Sequence, residues 1–426
     1  MEKVTQKVKR LALSATAKDT YILFTGNVAS AFLGFVFTLL LARALSVEEF
    51  GIFSAATNLI VIIASLTDIG ISSAIINFIS SFVSSGKEAK AREFLKAAFN
   101  LRIATILLIS AAVFLFAPKF AEGLLATDDR VVAYWVAIIP VALVFWFVLP
   151  YALQGYRKFK ESVAVDLSLG IPRIVIAYAV FVLYGLTVTS ALAVYALSAL
   201  FPIVVGLRLL GTKFLKARPD KTVYKSLLKF SGWLGVNRIV SSISGRLDVT
   251  MLAALAGASA TGLYSIPSKL AAFIVVLNSS FSSVLAPRFA SFGNKGEERK
   301  YILKASVGVI PIIGAVILWI AFAEPFILFL FGQKYASSVG VFKALAAAMI
   351  PFLLTAPSVT AIVYALKKPV FIGLFSFFQL AAIFLLNYVF IPTYGPYGPT
   401  LVFGIVNTIL MLYSWAIIFY YYWIKK

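Results

Sequence analysis

Residues 131–156, VVAYWVAIIPVALVFWFVLPYALQGY, contain no charged side chain over 26 consecutive positions. About 20 apolar residues are enough for a helix to cross the hydrocarbon core of a bilayer. Residues 20–42 and 344–366 are likewise uncharged over 23 positions each. The sequence therefore predicts a protein whose helices span a membrane.

The composition of the whole chain agrees with this prediction. Hydrophobic residues make up 61% of the 426 residues and charged residues only 13%, whereas charged residues account for about a quarter of a soluble domain. The chain contains no cysteine and no histidine, which excludes thiol nucleophiles, Cys/His zinc sites and imidazole acid–base catalysis. Neither a metal nor an organic cofactor is expected.

Hydrophobic stretches separated by Pro, Gly and charged residues predict an all-α polytopic protein with about twelve transmembrane helices. The second and seventh stretches are longer than a bilayer requires, which predicts tilt or an extra interfacial turn. The predicted spans are 20–42, 51–82, 97–117, 131–155, 163–184, 189–210, 230–256, 262–287, 305–322, 341–366, 370–390 and 398–422.

The distribution of Lys and Arg predicts the orientation. Segments on one side of the spans, beginning with residues 1–19, hold 28 of these residues, and segments on the other side hold only 4. Because cytoplasmic loops are enriched in Lys and Arg, both termini are expected in the cytoplasm, with the spans in the plasma (inner) membrane. The same rule accounts for the net charge of +21, so nucleic acid is not an expected partner. Residues 20–42 are too long for the apolar part of a signal peptide and are expected to remain as an anchor.

The chain contains an internal repeat. Residues 41–54 align with residues 252–265 at an offset of 211, and Tyr184-Gly185 aligns with Tyr394-Gly395 at an offset of 210. Six spans in each half predict two six-helix bundles related by a pseudo-two-fold axis along the membrane normal, as in alternating-access carriers. The predicted parts are a basic cytoplasmic segment 1–19, bundles 20–210 and 230–426, and a basic cytoplasmic linker 211–229.

Residues 40–79, LLARALSVEEFGIFSAATNLIVIIASLTDIGISSAIINFI, resemble the opening segment of the polysaccharide flippases. These form the oligosaccharide-transporter branch of the multidrug/oligosaccharidyl-lipid/polysaccharide exporter superfamily. The resemblance continues through the second half of the chain, at residues 245–248, 262–264, 286–288, 330–335 and 391–395.

The resemblance implies a function that composition and spacing do not. A member of this family is expected to flip an undecaprenyl- or dolichyl-pyrophosphate-linked oligosaccharide from the cytoplasmic to the outer leaflet, for surface polysaccharide biosynthesis. Such a protein is a transporter and not an enzyme. Its expected partners are the lipid-linked oligosaccharide and the bilayer, with a polysaccharide polymerase and glycosyltransferases as further candidates. Lipid II flippases of the superfamily typically carry fourteen spans, against the twelve predicted here.

Ionisable residues inside the predicted spans are the candidate functional residues, because each is costly at the bilayer centre unless it faces a cavity or a partner. The excess of three positive charges among them suits an anionic headgroup. Arg102 and Lys343 lie near span ends, where their side chains are expected to extend toward the interface. The full set is Asp68, Arg102, Asp166, Arg173, Arg238, Arg246, Asp248, Lys269 and Lys343.

Four of the cations are candidates for a substrate-binding cavity. Arg173 and Arg246 lie near the middle of their predicted spans, and Lys269 lies about 10 Å from the outer end of its own. For Arg238 a cavity and an interfacial position remain equally open. Arginine forms bidentate contacts with phosphate oxygens that lysine does not form, so this set favours a diphosphate group as ligand.

The three acidic residues are candidates for coupling transport to an ion. With no histidine in the chain, proton or Na⁺ coupling would have to use Asp68, Asp166 or Asp248; the membrane potential is an alternative driving force. Asp68 precedes Ile69-Gly70 and could equally cap a broken helix there. Asp166 and Arg173 share one helical face. Asp248 lies two residues from Arg246 and points elsewhere, so the first bundle could supply its partner.

Two other functions remain open at this point. A cation-coupled multidrug exporter would need an acidic cleft, which the positive balance of the intramembrane charges disfavours. A membrane glycan polymerase or ligase would need catalytic groups on a sizeable external loop. The longest predicted external segment, 323–340, is short for this purpose and carries one Glu and one Lys.

Overall fold

The computed structural model describes residues 15–424, apart from the side chains of residues 15–18, 20, 233, 234 and 236–238. Over these residues the chain is helical, and the described range contains no β-strand. This confirms the predicted all-α fold class. Most of the predicted N-terminal segment 1–19 lies outside the described residues.

The helices are numbered in chain order, and short 3₁₀ and π segments connect some of them. Their bounds are α1 Ala15–Ala44, α2 Val47–Leu66, α3 Ile71–Ser84, α4 Glu88–Leu115, α5 Ala117–Leu124, α6 Arg130–Gly155, α7 Phe159–Tyr184, α8 Val188–Ser198, α9 Leu200–Leu210, α10 Lys221–Ser244, α11 Leu247–Ser291, α12 Lys295–Ala321, α13 Ala323–Phe331, α14 Ala336–Ala348, α15 Ile350–Thr360, α16 Val370–Tyr394 and α17 Gly398–Phe419.

Helix α11 is a helical hairpin that turns at Gly257. Gly257 has φ 83° and ψ 179° inside it, a backbone conformation that only glycine adopts readily. The Tyr264 hydroxyl lies 2.7 Å from the Asp248 carboxylate. A straight helix would separate these two residues by about 24 Å, so the chain must turn back at Gly257. The two limbs therefore belong to the seventh and eighth predicted spans.

The count of membrane crossings agrees with the predicted twelve. In the described part of the chain, ten helical stretches are long and apolar enough to cross a membrane. Two of them contain a chain reversal: Leu247–Ser291, at Gly257, and Val370–Ile424, at Gly395. On either side of Gly395, α16 and α17 pack against each other as antiparallel neighbours.

Two predicted spans are interrupted at a residue with non-helical φ and ψ, which corrects the sequence-based interpretation. The second span breaks between α2 and α3, where Gly70 has φ 72°. Part of its extra length lies in this break. The seventh span breaks between α10 and α11, where Arg246 has φ −136° and ψ −3°. Arg246 therefore lies at a helix break and not in the middle of a helix.

The helices form two compact units, and the first is built around the α1–α7 and α4–α6 pairs. Glycines allow α1 and α7 to approach closely, because Gly26 lies against Val163 and Gly170 lies against Leu33. Helix α3 packs on α4 and α6. This unit consists of residues 1–45, 59–121 and 128–239.

The second unit is organised around the α11 hairpin, which packs on α14, α15 and α16. Leu252, Tyr264, Leu345 and Ile391 are fully buried at its centre. The first half of α2 also belongs to this unit, which consists of residues 46–58, 122–127 and 240–426. The predicted domain boundaries at 20–210 and 230–426 stay a prediction.

A reciprocal contact within the second unit follows the sequence repeat. Gly51 lies directly against the carbonyl of Ala258, and Gly262 lies directly against the carbonyl of Val47. At the offset of 211, Gly51 corresponds to Gly262 and Val47 corresponds to Ala258, so the two contacts are equivalent in the two repeats. A local two-fold relation between α2 and the second limb of α11 therefore accompanies the repeat.

Candidate functional site

Three polar side chains of the second unit lie at the same depth. Asn58 lies near the middle of α2, while Arg246 and Lys269 lie on either side of the turn at Gly257, at nearly equal distances along the chain. At 1.5 Å per residue, each lies about 17 Å from the start of α2 or from that turn. Half of the hydrocarbon core is about 15 Å, so all three lie near the middle of the bilayer.

Direct contacts hold Asn58 and Arg246 together. The Asn58 amide Nδ2 donates to the Arg246 carbonyl over 2.6 Å and lies 3.0 Å from Thr250 Oγ1. In return Arg246 Nη1 lies 3.5 Å from Asn58 Oδ1. The helix break makes this possible, because it exposes the Arg246 carbonyl to a side chain from α2. Asn58 thereby fixes the position of the guanidinium group.

Lys269 adds a second positive charge next to Arg246. The Arg246 guanidinium is close enough to repel the Lys269 ammonium electrostatically. No carboxylate lies within ion-pair distance of Lys269 among the residues that the structure describes. The group of Asn58, Arg246, Thr250 and Lys269, here called the cationic cluster, therefore combines two like charges at mid-depth with one orienting amide.

The nearby acid, Asp248, is hydrogen-bonded to a tyrosine of the second unit. Its side chain is only 3% exposed, and Oδ2 accepts the hydrogen bond from the Tyr264 hydroxyl. Its Oδ1 has no hydrogen-bond partner in the described part of the chain. The partner that sequence reasoning sought in the first bundle is therefore a tyrosine on the other limb of α11. Nothing in the sequence links the two residues unless the turn at Gly257 is known.

Asp68 and Arg102 form an ion pair in the first unit. Arg102 Nη2 lies 3.1 Å from Asp68 Oδ1, and the arginine side chain is 1% exposed. The expectation that Arg102 extends toward the interface is therefore wrong, because its side chain is buried and pairs with Asp68, which is 17% exposed. Asp68 Oδ1 also accepts the Ser72 N–H over 2.8 Å, so Asp68 caps the broken helix, as one of its two interpretations predicts.

Arg173 is enclosed by aromatic rings of the first unit. Its guanidinium carbon lies 3.8 Å from the Tyr195 ring centroid and 5.4 Å from that of Phe37. Nε donates to Ser198 Oγ over 2.9 Å, and the side chain is 8% exposed. In this conformation the guanidinium is buried rather than lining a water-filled cavity, so a role in binding substrate stays a prediction.

The other candidates are less informative. Asp166 is half-buried next to the Trp146 indole. The ion pairs of the described residues do not include one between Asp166 and Arg173, although the two share a helical face. Lys343 is half-buried. The side chain of Arg238 lies outside the described residues.

Comparison with known proteins places the chain in a family. A family model described as "Polysaccharide biosynthesis protein" matches residues 16–292, more than half of the sequence. The chain belongs to this family. The match covers α1 to α11, and thus the cationic cluster.

Two relatives are named for polysaccharide transport. The succinoglycan biosynthesis transport protein ExoT of Rhizobium meliloti (strain 1021) is 26% identical over 327 residues, which are 74% of this chain and 62% of that protein. The chain thus spans less than two thirds of that relative. A Shigella flexneri protein named as an O-antigen transporter is 24% identical over 394 residues, which are 86% of this chain and 88% of that protein.

Solved structures share the fold. The lipid II flippase MurJ, in an inward closed conformation, has a TM-score of 0.76 at 15% identity, covering 93% of this chain and 87% of that one. A MATE-family multidrug transporter of the MOP superfamily, in an inward-facing conformation, has a TM-score of 0.67 at 16% identity, covering 91% of this chain and 93% of that one. At these identities the likeness concerns the fold alone, and the predicted superfamily stays a prediction.

Proposed function

We propose that the protein transfers an oligosaccharide carried on a polyprenyl diphosphate from the cytoplasmic to the outer leaflet of the plasma membrane, by alternating access. The observation that carries the proposal is the pair of cations Arg246 and Lys269 near the middle of the bilayer. Two like charges in a low-dielectric region repel each other, and an anion placed near both is attracted to both. A diphosphate group is such an anion.

The chemistry of the cationic cluster fits a diphosphate. Arginine presents a planar fork of donors that matches two phosphate oxygens, while lysine acts as a compact point charge. Asn58 orients the Arg246 guanidinium before the ligand arrives, which lowers the entropy that binding must overcome. A cationic drug would meet two positive charges at the same place, so the cluster disfavours the multidrug-exporter alternative.

The relatives support the same conclusion. ExoT and the Shigella flexneri protein are named for transport linked to succinoglycan and O-antigen, and MurJ is named a lipid II flippase. These names describe carriers and not enzymes, which disfavours the polymerase or ligase alternative. A surface polysaccharide pathway would place glycosyltransferases before this step and a polymerase after it, as candidate partners.

The driving force follows from the charge of the cargo and from the orientation, in which both termini are cytoplasmic. Each negative charge that moves outward across 100 mV, inside negative, gains about 2.3 kcal/mol. A diphosphate headgroup can use this energy without a coupling ion. For H⁺ or Na⁺ coupling, Asp166 and Asp248 are better candidates than Asp68, whose carboxylate already pairs with Arg102.

Complementation of a strain that lacks its flippase tests the proposal. Arg246→Ala and Lys269→Ala should each reduce surface polysaccharide strongly while the protein remains at normal levels in the membrane. Lys304→Ala is the matched control, because it removes one positive charge from an exposed position of α12 in the same unit. Full restoration by both cluster variants would refute the proposed binding role of these residues.

A further inference from the structure

An apolar groove lies in the second unit beside the helix break at Arg246. It has a volume of about 380 Å³, and carbon atoms form nearly all of its wall. Its lining comes from the end of α10, the start of α11 and one face of α16. The lining residues are Ile243, Leu247, Phe377, Leu380, Ala381 and Phe384.

The sequence of α16 explains the shape of the groove. Residues three, four and seven positions apart lie on one face of a helix, so Phe377, Ala381 and Phe384 form a single stripe. The two phenyl rings stand at either end of it, and the methyl group of Ala381 leaves a depression between them. Phe377 and Phe384 are 38% and 49% exposed, so the depression is open at the surface of the second unit.

The groove lies next to Arg246 along the chain. Leu247 in its wall directly follows Arg246, so the two Cα atoms are about 3.8 Å apart. Ile243, on the opposite side of the break, precedes Arg246 by less than one helical turn. The break between α10 and α11 thus brings an intramembrane cation and an apolar surface to the same point at mid-depth.

We propose that this groove holds the isoprenoid chain of the lipid carrier, beginning at the isoprene units next to the diphosphate, while the diphosphate lies at the cationic cluster. This inference rests on the proposed function and adds the binding site of the isoprenoid chain. An isoprenoid chain is apolar and branched, and in the groove it makes van der Waals contacts with the surrounding side chains.

The depth of the groove selects this occupant over an ordinary phospholipid. A resting phospholipid keeps its phosphate at the membrane interface, about 15 Å from the bilayer centre. Only a lipid whose headgroup is drawn to the middle of the bilayer has a chain that begins beside Arg246. A phospholipid acyl chain in the groove is therefore the competing outcome, and the experiment must separate the two.

Binding of two diphosphates to the purified full-length protein tests the proposal. Inorganic diphosphate has no isoprenoid chain, and undecaprenyl diphosphate has a long one. The wild-type protein should bind the long-chain compound more tightly. Ala381→Trp fills the groove and should weaken undecaprenyl diphosphate binding by at least about tenfold, equivalent to about 1.4 kcal/mol, with inorganic diphosphate binding retained. Val389→Trp is the control, because Val389 lies on α16 with 59% exposure and does not line the groove.

The outcomes separate this inference from the proposed function. If the wild-type protein binds neither diphosphate, the proposed function fails. If Ala381→Trp binds both compounds as the wild type does, the tail does not lie in the groove, although the proposed function stands.

A photo-crosslinking residue, p-benzoylphenylalanine, at position 381 gives a second readout that does not require a filled groove. We expect it to capture undecaprenyl diphosphate from mixed micelles that also contain phosphatidylglycerol. The same residue at position 389 should capture both lipids without preference. Capture of phosphatidylglycerol alone at position 381 would overturn the inference.

Discussion

Gly51→Ala tests the contact between α2 and the second limb of α11. A Cβ added at Gly51 would lie 1.9 Å from the Ala258 carbonyl oxygen. Carbon and oxygen atoms in close C–H···O contacts are about 3.3 Å apart, so the two helices would have to separate by about 1.4 Å. Overpacking of this kind costs about 1–3 kcal/mol. The substitution should therefore destabilise the protein, although alanine favours a helix over glycine by up to about 1 kcal/mol.

Thermal unfolding in detergent micelles is the assay, with Gly314→Ala as the matched control. Gly314 is also in a helix of the second unit, but a Cβ there would meet no atom within 4 Å, so this variant should match or exceed the wild-type melting temperature. Gly262→Ala should behave like Gly51→Ala, because its Cβ would lie 1.9 Å from the Val47 carbonyl oxygen. Equal melting temperatures for Gly51→Ala and Gly314→Ala would refute the close contact.

Three further predictions concern polar contacts. Asp68→Asn removes the charge that holds buried Arg102 and should destabilise the protein by about 3–5 kcal/mol. The double variant Asp68→Asn, Arg102→Met should recover part of this loss, and denaturation of both variants measures the difference in stability. Tyr264→Phe leaves the buried Asp248 carboxylate without the hydrogen bond from Tyr264 and should lower the stability by about 1–3 kcal/mol in the same assay. A stability equal to that of the wild type would argue against this contact between the two limbs of α11. Hydrogen bonds from the Thr222 hydroxyl and the Val223 N–H hold the pKa of Asp220 below its ordinary value. The start of α10 therefore gains stability above the pKa of the unfolded chain and loses it as the pH falls through the lower folded value. The protection factor of the Val223 amide against hydrogen exchange should fall over that range in the wild type and not in Asp220→Ala.

The sequence predicted the membrane crossings because their signal is local. An uncharged run such as 131–156 is read without knowing what surrounds it, and the structure contains the corresponding helix α6. The repeat at an offset of 211 was also visible in the chain, and the paired contacts of Gly51 and Gly262 accompany it.

The helix break at Arg246 could not be predicted from local hydrophobicity or from the repeat. Residues 230–256 contain three glycines, at positions 232, 235 and 245, and only the last lies next to the break, so glycine is a weak signal for the helix end here. The break depends on contacts that form only after folding, among them the bond from Asn58 to the Arg246 carbonyl. The sequence therefore predicts the approximate depth of the cationic cluster but not the contacts between its residues.

Partners far apart in the chain were also beyond sequence reasoning. Arg102 was assigned to the interface because its distance from the span end was the only available measure. Its partner Asp68 lies at the break between α2 and α3, and the pair forms through packing of the first unit. The rings of Phe37 and Tyr195 enclose Arg173 for the same reason.

Flipping by the reconstituted protein tests the central claim most directly. Proteoliposomes would contain a fluorescent polyprenyl-diphosphate-linked oligosaccharide, and the fraction that becomes accessible to an external quencher would be followed with time. The wild type and Lys304→Gln should flip the lipid at similar rates, whereas the double variant Arg246→Gln, Lys269→Gln should be slower by at least about tenfold, the equivalent of about 1.4 kcal/mol. A double variant that flips the lipid at the wild-type rate would contradict the claim that these two cations receive the diphosphate.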